Sequence, residues 1–436
     1  MPLRVAIVGS GPSGFYTAAA LLKTDTPCEI DIIERLPTPF GLIRGGVAPD
    51  HQKTKNVMRA YERTALDENV AYFGNVEVGR DVGIDELKEM YDAVVLAIGS
   101  PLDRGLGILG EDKQGIYGAA AFVGWYNGHP DFRDLGPDLD TKGVAIIGAG
   151  NVAIDCARVL AKTPAEMAET DLTEYAAAAI HSAPIEDIHM FARRGPIDAK
   201  FTNVELREMG ELEASVPVVD PAQLPVEVAD DLGLSDRDKR LKERNLATLR
   251  DFTEIDRAGT RRVHFQFFAM PVEVLGGDKV EGLRLERTAV EGGRAVGTGE
   301  TFEIECGLII AAIGYRGEPF PGVPYDEANG IAAHTDGRVG DGIYAVGWIK
   351  RGPTGVIGTN KHDGDAAAVQ ILEDCGDSVK AGREALEAHL SEAGVRSVSY
   401  ADWQKIDEAE KAAAPDGAPR RKFVTAEEML AVLDGS

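Results

Sequence analysis

Short, mostly apolar runs recur along this chain, and most of them lead into or end in glycine. Leu3 to Val8, Glu29 to Ile33, Val144 to Ile147, Ile188 to Ala192, Gly307 to Gly314 and Gly342 to Val346 are rich in β-branched or bulky apolar residues. Runs of this length that are mostly apolar are expected of strands covered on both faces, as in parallel sheets. Several lead into helix-like stretches, Phe15 to Lys23, Ile154 to Ala161 and Asp363 to Leu372. Strand, glycine turn and helix in that order predict an α/β protein built from doubly wound, Rossmann-like sheets.

Two of the turns carry chemistry. After Leu3 to Val8 comes Gly9-Ser10-Gly11-Pro12-Ser13-Gly14, a G-x-G-x-x-G turn that opens a helix N-terminus toward a diphosphate. Glu34 ends the next strand, where a carboxylate accepts hydrogen bonds from ribose hydroxyls. After Val144 to Ile147 comes Gly148-Ala149-Gly150-Asn151-Val152-Ala153, with Ala153 in the place of the third glycine. Two such turns predict two dinucleotides. The strand after the second ends in Arg193-Arg194-Gly195-Pro196 rather than in an acid. Guanidinium groups there clasp a 2'-phosphate, which favours NADP over NAD; the alternative is a pair of surface charges. The long interval after Gly148 predicts an inserted helical excursion over Pro164 to Pro184.

A third region returns to the first fold. Gly347-Trp348-Ile349-Lys350-Arg351-Gly352-Pro353-Thr354-Gly355-Val356-Ile357-Gly358 precedes a helix and can bring backbone amides against a flavin ring, with Trp348 as a cover. The expected map is discontinuous: residues 1–104 and 320–436 form an FAD-binding domain, and 105–319 form an NADP-binding domain inserted in it. The Ala-, Pro- and Gly-rich stretch Lys411 to Arg421 reads as a loose tail segment.

Composition narrows the function. The 436 residues include only four cysteines, Cys28, Cys156, Cys306 and Cys375, with no C-x-x-C pair, so redox chemistry must come from a bound cofactor and no metal site is expected. No apolar run reaches the roughly 18 residues of a membrane span, and the first strand begins by Leu3, so a cytoplasmic, bacterial protein without a leader is expected. A formal net charge of -26 argues against nucleic acid.

Together, GSGPSGFY (9–16), PFGLIRGGVAPDH (39–51), GNVEVGR (74–80), FVGWYNG (122–128), GAGNVAID (148–155), RRGP (193–196), ELREM (205–209) and GWIKRGPTGVI (347–357) resemble the adrenodoxin-reductase type of ferredoxin–NADP(+) reductase over essentially the whole chain. Thr359 to Asp363 looks more like the bacterial members. The resemblance implies an FAD enzyme that takes a hydride from NADPH and passes single electrons to a ferredoxin-type iron–sulfur protein. With Gly9, Gly11 and Gly14 of the first glycine turn at the diphosphate, it implies further FAD contacts at Ser13, Glu34, Leu42, Val78, Trp348 and the backbone of Gly355, Val356 and Ile357. It implies NADP contacts at Gly148, Gly150, Asn151, Val152, Ala153, Arg193, Arg194 and Glu205, with Gly355 shared where nicotinamide meets flavin. His51 and Glu205 are the candidate catalytic residues.

Ferredoxins are usually acidic, so an acidic reductase needs a local basic patch to dock one. Arg237 to Arg250 carries six basic residues against two acidic ones; Arg237, Arg240 and Arg244 follow helical spacing on one face, and Leu234, Leu241 and Leu249 are expected to anchor the other. The bland alternative is a solvated helix face. Two rival functions remain: an NADPH-dependent flavin oxidoreductase with a small-molecule or partner-subunit acceptor, and a non-catalytic redox-sensing flavoprotein.

Overall fold

The computed structural model describes residues 2–229, 233–376 and 378–435. The chain forms two compact units. The first comprises the residues up to Leu102, Asn127–Pro130 and the chain from Tyr315 onward; the second comprises Asp103–Tyr126 and Asp131–Gly314. The brief return at Asn127–Pro130 has no counterpart in the sequence reading.

In the first unit six strands lie in the order 338–340, 343–345, 93–96, 3–8, 28–33, 70–73. All neighbours are parallel except 338–340, which runs antiparallel at the edge. Alternate residues of the strand Leu3–Val8 serve different cores. Leu3, Val5 and Ile7 pack with Phe15, Ala18 and Leu21 of the helix Pro12–Leu21, whereas Ala6 and Val8 pack with Val94, Leu96 and Leu386. Burial on both faces is why the run is mostly apolar. Buried Asp31 is the exception: it accepts from Tyr91 Oη at 2.8 Å and Arg383 Nε at 2.7 Å, which ties the helix Arg383–Glu392 to the sheet.

The stretch Lys411 to Arg421 is not loose. Arg420 pairs with Asp407 and, at 3.2 Å, with Glu410; Arg421 N donates to the Glu410 carbonyl at 2.9 Å. A further helix, Ala426–Asp434, buries Met429 in the core. Composition suggested a tail because Ala, Pro and Gly are poor in side-chain anchors, but the carboxylate of Glu410 is fully buried and demands cationic partners.

The second unit holds a six-stranded sheet, all parallel, in the order 116–118, 308–311, 143–147, 187–191, 261–266, 215–219. The excursion between its second and third strands in the chain forms the helices Pro164–Met167 and Glu174–Ser182, the first closed by a Thr163–Glu166 capping box. An antiparallel sheet of Ala269–Leu275, Gly282–Glu291 and Arg294–Glu305 contributes Val274, Leu283 and Leu285 to a core shared with Phe191 and Ile309. Sequence reading passed over it, since its outer strand is mostly exposed and mixes polar, charged and small residues.

On the parallel sheet, His189 stacks on His264 with ring centroids 4.6 Å apart, and its Nδ1 lies 2.8 Å from Gln266 Nε2. Burial, and then the charge of neighbouring His264, push the His189 pKa down to about 4. A histidine depressed in the folded state stabilises above its unfolded pKa, and that stability is lost as pH falls toward the folded value. Unfolding free energy is therefore expected to drop on the order of 2 kcal/mol more between pH 7 and pH 5 in the parent than in His189→Gln, measured by urea denaturation.

Candidate functional site

Each unit places a glycine turn at the carboxyl ends of its central strands. In the first unit Gly9 has φ +107°, and a Cβ there would stand 2.5 Å from the Ala97 carbonyl oxygen. At Gly14 it would stand 2.2 Å from the Gly9 carbonyl oxygen. Both glycines are therefore required by close backbone approach, which seats the helix Pro12–Leu21 directly on the turn. Gly11, the N-cap, has nothing within 4 Å of its Cβ position and no side chain caps its helix. Bare N–H groups and open space at a positive helix end fit a diphosphate.

Around this turn the structure gathers most of the predicted residues of the first unit. Glu34 accepts from Ser10 N and Oγ at 3.1 and 2.7 Å and from Leu36 N at 3.2 Å, which fixes its carboxylate just past the strand end. Phe40 N donates to Ser10 O at 3.0 Å, and Gly41 lies so close to Gly11 that a Cβ would be 3.0 Å from its Cα. The following short helix, Leu42–Gly45, leaves Leu42 49% exposed, an apolar side chain held beside a polar turn. His51 closes the Ala48–His51 turn through its backbone N–H at 3.0 Å and begins the next helical turn.

The late glycine loop joins the same place. Gly347 sits over Ser13, where a Cβ would be 2.7 Å from the Ser13 side chain. Trp348 stacks on Tyr315 with centroids 5.9 Å apart. Gly355 has φ +85°, Val356 N donates to Thr359 Oγ1 at 3.0 Å with the Val356 side chain exposed, and Ile357 starts the turn into the helix Asn360–Asp374. Val78 differs: its side chain is packed inside the core, so only its backbone is available to a ligand.

The contacts that hold this loop and its helix escaped the sequence reading. Arg351 pairs with Asp363 and donates to Asn360 Oδ1 at 2.9 Å, which staples the loop to its helix. At Gly364 a Cβ would be 2.8 Å from Thr17 N, so the two helices meet backbone to backbone. The signal was present as an Arg and an Asp flanking a Gly-rich loop, but spacing alone does not reveal a pair.

In the second unit Gly148 has φ +148°, and a Cβ would lie 2.3 Å from the Ala312 carbonyl oxygen. Gly150 is the uncapped N-cap of the helix Asn151–Ala161, again open on its Cβ side. Asn151 Oδ1 accepts from Thr202 N at 2.8 Å, Val152 is partly exposed, and Ala153 is fully buried against the sheet. Arg193 is exposed, whereas Arg194 pairs with Asp198 at 3.0 Å and donates to Gly293 O. Glu205 faces Arg158 at 3.5 Å; this fully buried guanidinium also meets Asp155 at 2.8 Å and Glu208 at 3.3 Å. Sequence reading missed Arg158, because an arginine in a dinucleotide helix looks like surface.

The helix Asp236–Thr253 buries Leu246, Leu249 and Phe252. Leu234 and Leu241 are exposed, so they do not anchor it as expected; Lys242 and Asn245 do so instead, donating to Ala199 O and Phe201 O at 2.6 and 3.0 Å. Arg237, Arg240 and Arg244 remain exposed.

Residues 3–189 match the pyridine nucleotide-disulphide oxidoreductase family. Over 99% of its length the chain is 42% identical to NADPH:adrenodoxin oxidoreductase of Mus musculus, covering 91% of that protein, and to NADPH-ferredoxin reductase FprA of Mycobacterium leprae, covering 98%. The chain belongs to the NADPH:adrenodoxin and NADPH-ferredoxin reductase family. The structure of Mycobacterium tuberculosis FprA in complex with NADPH superposes with a TM-score of 0.93 at 40% identity, covering 99% of both chains. FAD and NADP(H) are therefore the cofactors, and the two cradles fit them: each offers bare helix amides to a diphosphate, one with a fixed carboxylate and one with an exposed arginine beyond it. No helix among the described residues is long and apolar enough to cross a membrane.

Alanine at Gly14 or Gly148 forces its cradle open. Gly14→Ala and Gly148→Ala are each expected to weaken one dinucleotide at least about tenfold and spare the other. Flavin content by absorbance and NADPH affinity by titration check this; equal loss of both in either variant would show general unfolding.

Proposed function

We infer that this family member moves electrons between NADPH and a one-electron iron–sulfur carrier through bound FAD, as an oxidoreductase acting on iron–sulfur proteins with NADP. The observation that carries this reading is the pair of dinucleotide cradles in a chain that has no cysteine pair to receive the electrons. Cys28, Cys156 and Cys306 are buried, Cys375 is half-buried, and all four are free thiols. A disulfide relay is thus not supported, and the acceptor must lie outside the chain. That the relatives are named ferredoxin and adrenodoxin reductases supports an iron–sulfur protein in this role.

In this reading FAD lies on the first unit, at Gly9, Gly11, Ser13, Gly14, Glu34, Leu42, Val78, Trp348, Gly355, Val356 and Ile357. NADP(H) lies on the second, at Gly148, Gly150, Asn151, Val152, Ala153, Arg193, Arg194 and Glu205. FAD supplies the conversion between a two-electron hydride and single electrons. The protein supplies position: helix ends neutralise the diphosphates, Glu34 takes the ribose, and exposed Arg193 takes the 2'-phosphate with Arg194 turning from Asp198 to join it. His51 is assigned to proton exchange at the flavin. Glu205, engaged by Arg158, suits a fixed hydrogen-bond acceptor better than a proton carrier. The exposed arginines Arg237, Arg240 and Arg244 are the proposed ferredoxin-facing patch.

Cytochrome c reduction with NADPH or NADH, with and without a [2Fe-2S] ferredoxin, tests the function. The rate is expected to require ferredoxin and NADPH; a ferredoxin-independent rate would favour a small-molecule acceptor, and no turnover would favour a sensor. Charge reversal at Arg240 and Arg244 is expected to raise the ferredoxin requirement at low salt while dye reduction stays unchanged. Removing both guanidiniums in Arg193→Leu/Arg194→Leu is expected to raise KM for NADPH about tenfold or more and leave NADH little changed.

A further inference from the structure

The C-terminal segment reaches back to the loop that carries Leu42. Glu410, whose side chain has no exposed surface, accepts from Arg44 through both guanidinium nitrogens, with Nη1 at 2.8 Å. It also accepts from Phe423 N at 2.8 Å and from Arg420 at 3.2 Å. Arg44 and Glu410 are 366 positions apart in sequence. The Arg44 guanidinium also lies over the Trp403 ring, 5.2 Å from its centroid, and Trp403 meets Phe40 edge-on at 6.0 Å. Lys422, almost fully buried, donates to the Arg44 carbonyl at 3.3 Å and to the Asn127 carbonyl at 3.1 Å.

Between these anchors the loop is held by buried Ile43 and by the Phe40 N to Ser10 O hydrogen bond at 3.0 Å, but it has no regular element longer than one turn. Phe40 and Gly41 both adopt positive φ, 83° and 50°, and the helical turn Leu42–Gly45 is too short to be stable by itself. Phe40 is gripped by Trp403 on one side and Phe15 on the other, at 5.6 Å; Arg44 is gripped by Glu410 and Lys422. Leu42 lies between, half exposed, beside the first glycine turn.

We propose that the C-terminal segment is a clamp, with Glu410 and Lys422 as positioning residues that hold the Phe40–Gly46 loop, and so Leu42, in place against the flavin. The proposal rests on the reading that Leu42 borders FAD. A fully buried, doubly paired carboxylate is costly to desolvate, and a device that fixes a strained loop gives that burial a use.

The test compares holoenzymes carrying Glu410→Gln, Lys422→Met and, as a control, Asp31→Asn, which breaks a buried carboxylate network in the same unit away from the loop. Glu410→Gln and Lys422→Met are expected to expose the Arg44–Gly45 bond to trypsin. They are also expected to speed FAD release about tenfold or more and shift the bound flavin's visible bands, with KM for NADPH held within about twofold. Asp31→Asn is expected to lower the melting temperature with FAD release and tryptic pattern unchanged. Lys422→Met carries the test if Glu410→Gln does not fold. No new cleavage and unaltered FAD release would show that the clamp does not exist. Cleavage at Arg44 with unaltered FAD release would show a clamp on a loop that does not serve the flavin, which overturns the proposal and the placement of Leu42 together.

Discussion

Everything in this protein that bears on function depends on how closely backbone can approach backbone at the carboxyl ends of parallel strands. Where Gly14 meets the Gly9 carbonyl, and where Gly148 meets the Ala312 carbonyl, a single methyl group would lie at 2.2 and 2.3 Å. The first contact seats a helix directly on its turn, the second presses a turn against the end of a neighbouring strand, and in both units a helix N-terminus stands at the strand ends with no side-chain cap. Without them the amides would be spaced away from the sheet, and a diphosphate would meet solvent-filled backbone instead of a preformed set of donors. The remaining elements of each unit fix what stands around that opening.

Around the first turn the fixing is done by partners both near and remote in sequence. Glu34 is oriented by Ser10 and Leu36, the late glycine loop is stapled by Arg351 and Asp363, and the Leu42 loop is held by Glu410 and Lys422. Around the second, Arg158 collects Asp155, Glu205 and Glu208 beneath the cradle. In both units a charge is placed in a buried position and surrounded by partners. Such pairs contribute little net stability, but breaking one partner is costly, so they make the local geometry single-valued. For hydride transfer, where alignment decides the rate, that is the useful property.

The electrostatics follow the same division between local and global. The chain as a whole carries -26, yet the diphosphates of its cofactors need positive charge. Positive charge is available locally: the uncapped helix ends of the two glycine turns, exposed Arg193, and the exposed Arg237, Arg240 and Arg244 of the helix Asp236–Thr253. At physiological ionic strength fields from charges beyond about 8 Å are screened, so a local excess is felt at contact in spite of the overall sign.

The sequence by itself determined the two glycine turns, the strands that feed them and the arginines that replace an acid, because each depends on a few neighbouring residues. Strand burial on both faces is written as mostly apolar runs, and close backbone approach is written as glycine. The tertiary structure alone decided which distant charges meet. Nothing around Lys411 to Arg421 announces that Glu410 pairs with Arg44; nothing near Leu234 and Leu241 shows that they stay exposed while Lys242 and Asn245 anchor their helix. The antiparallel sheet at Ala269–Glu305 was hidden for a related reason, since one of its faces and most of its outer strand are solvated. Local pattern reports what a residue's neighbours in sequence require of it. The partners of a buried charge are set by topology, which brings residues hundreds of positions apart to within hydrogen-bonding distance.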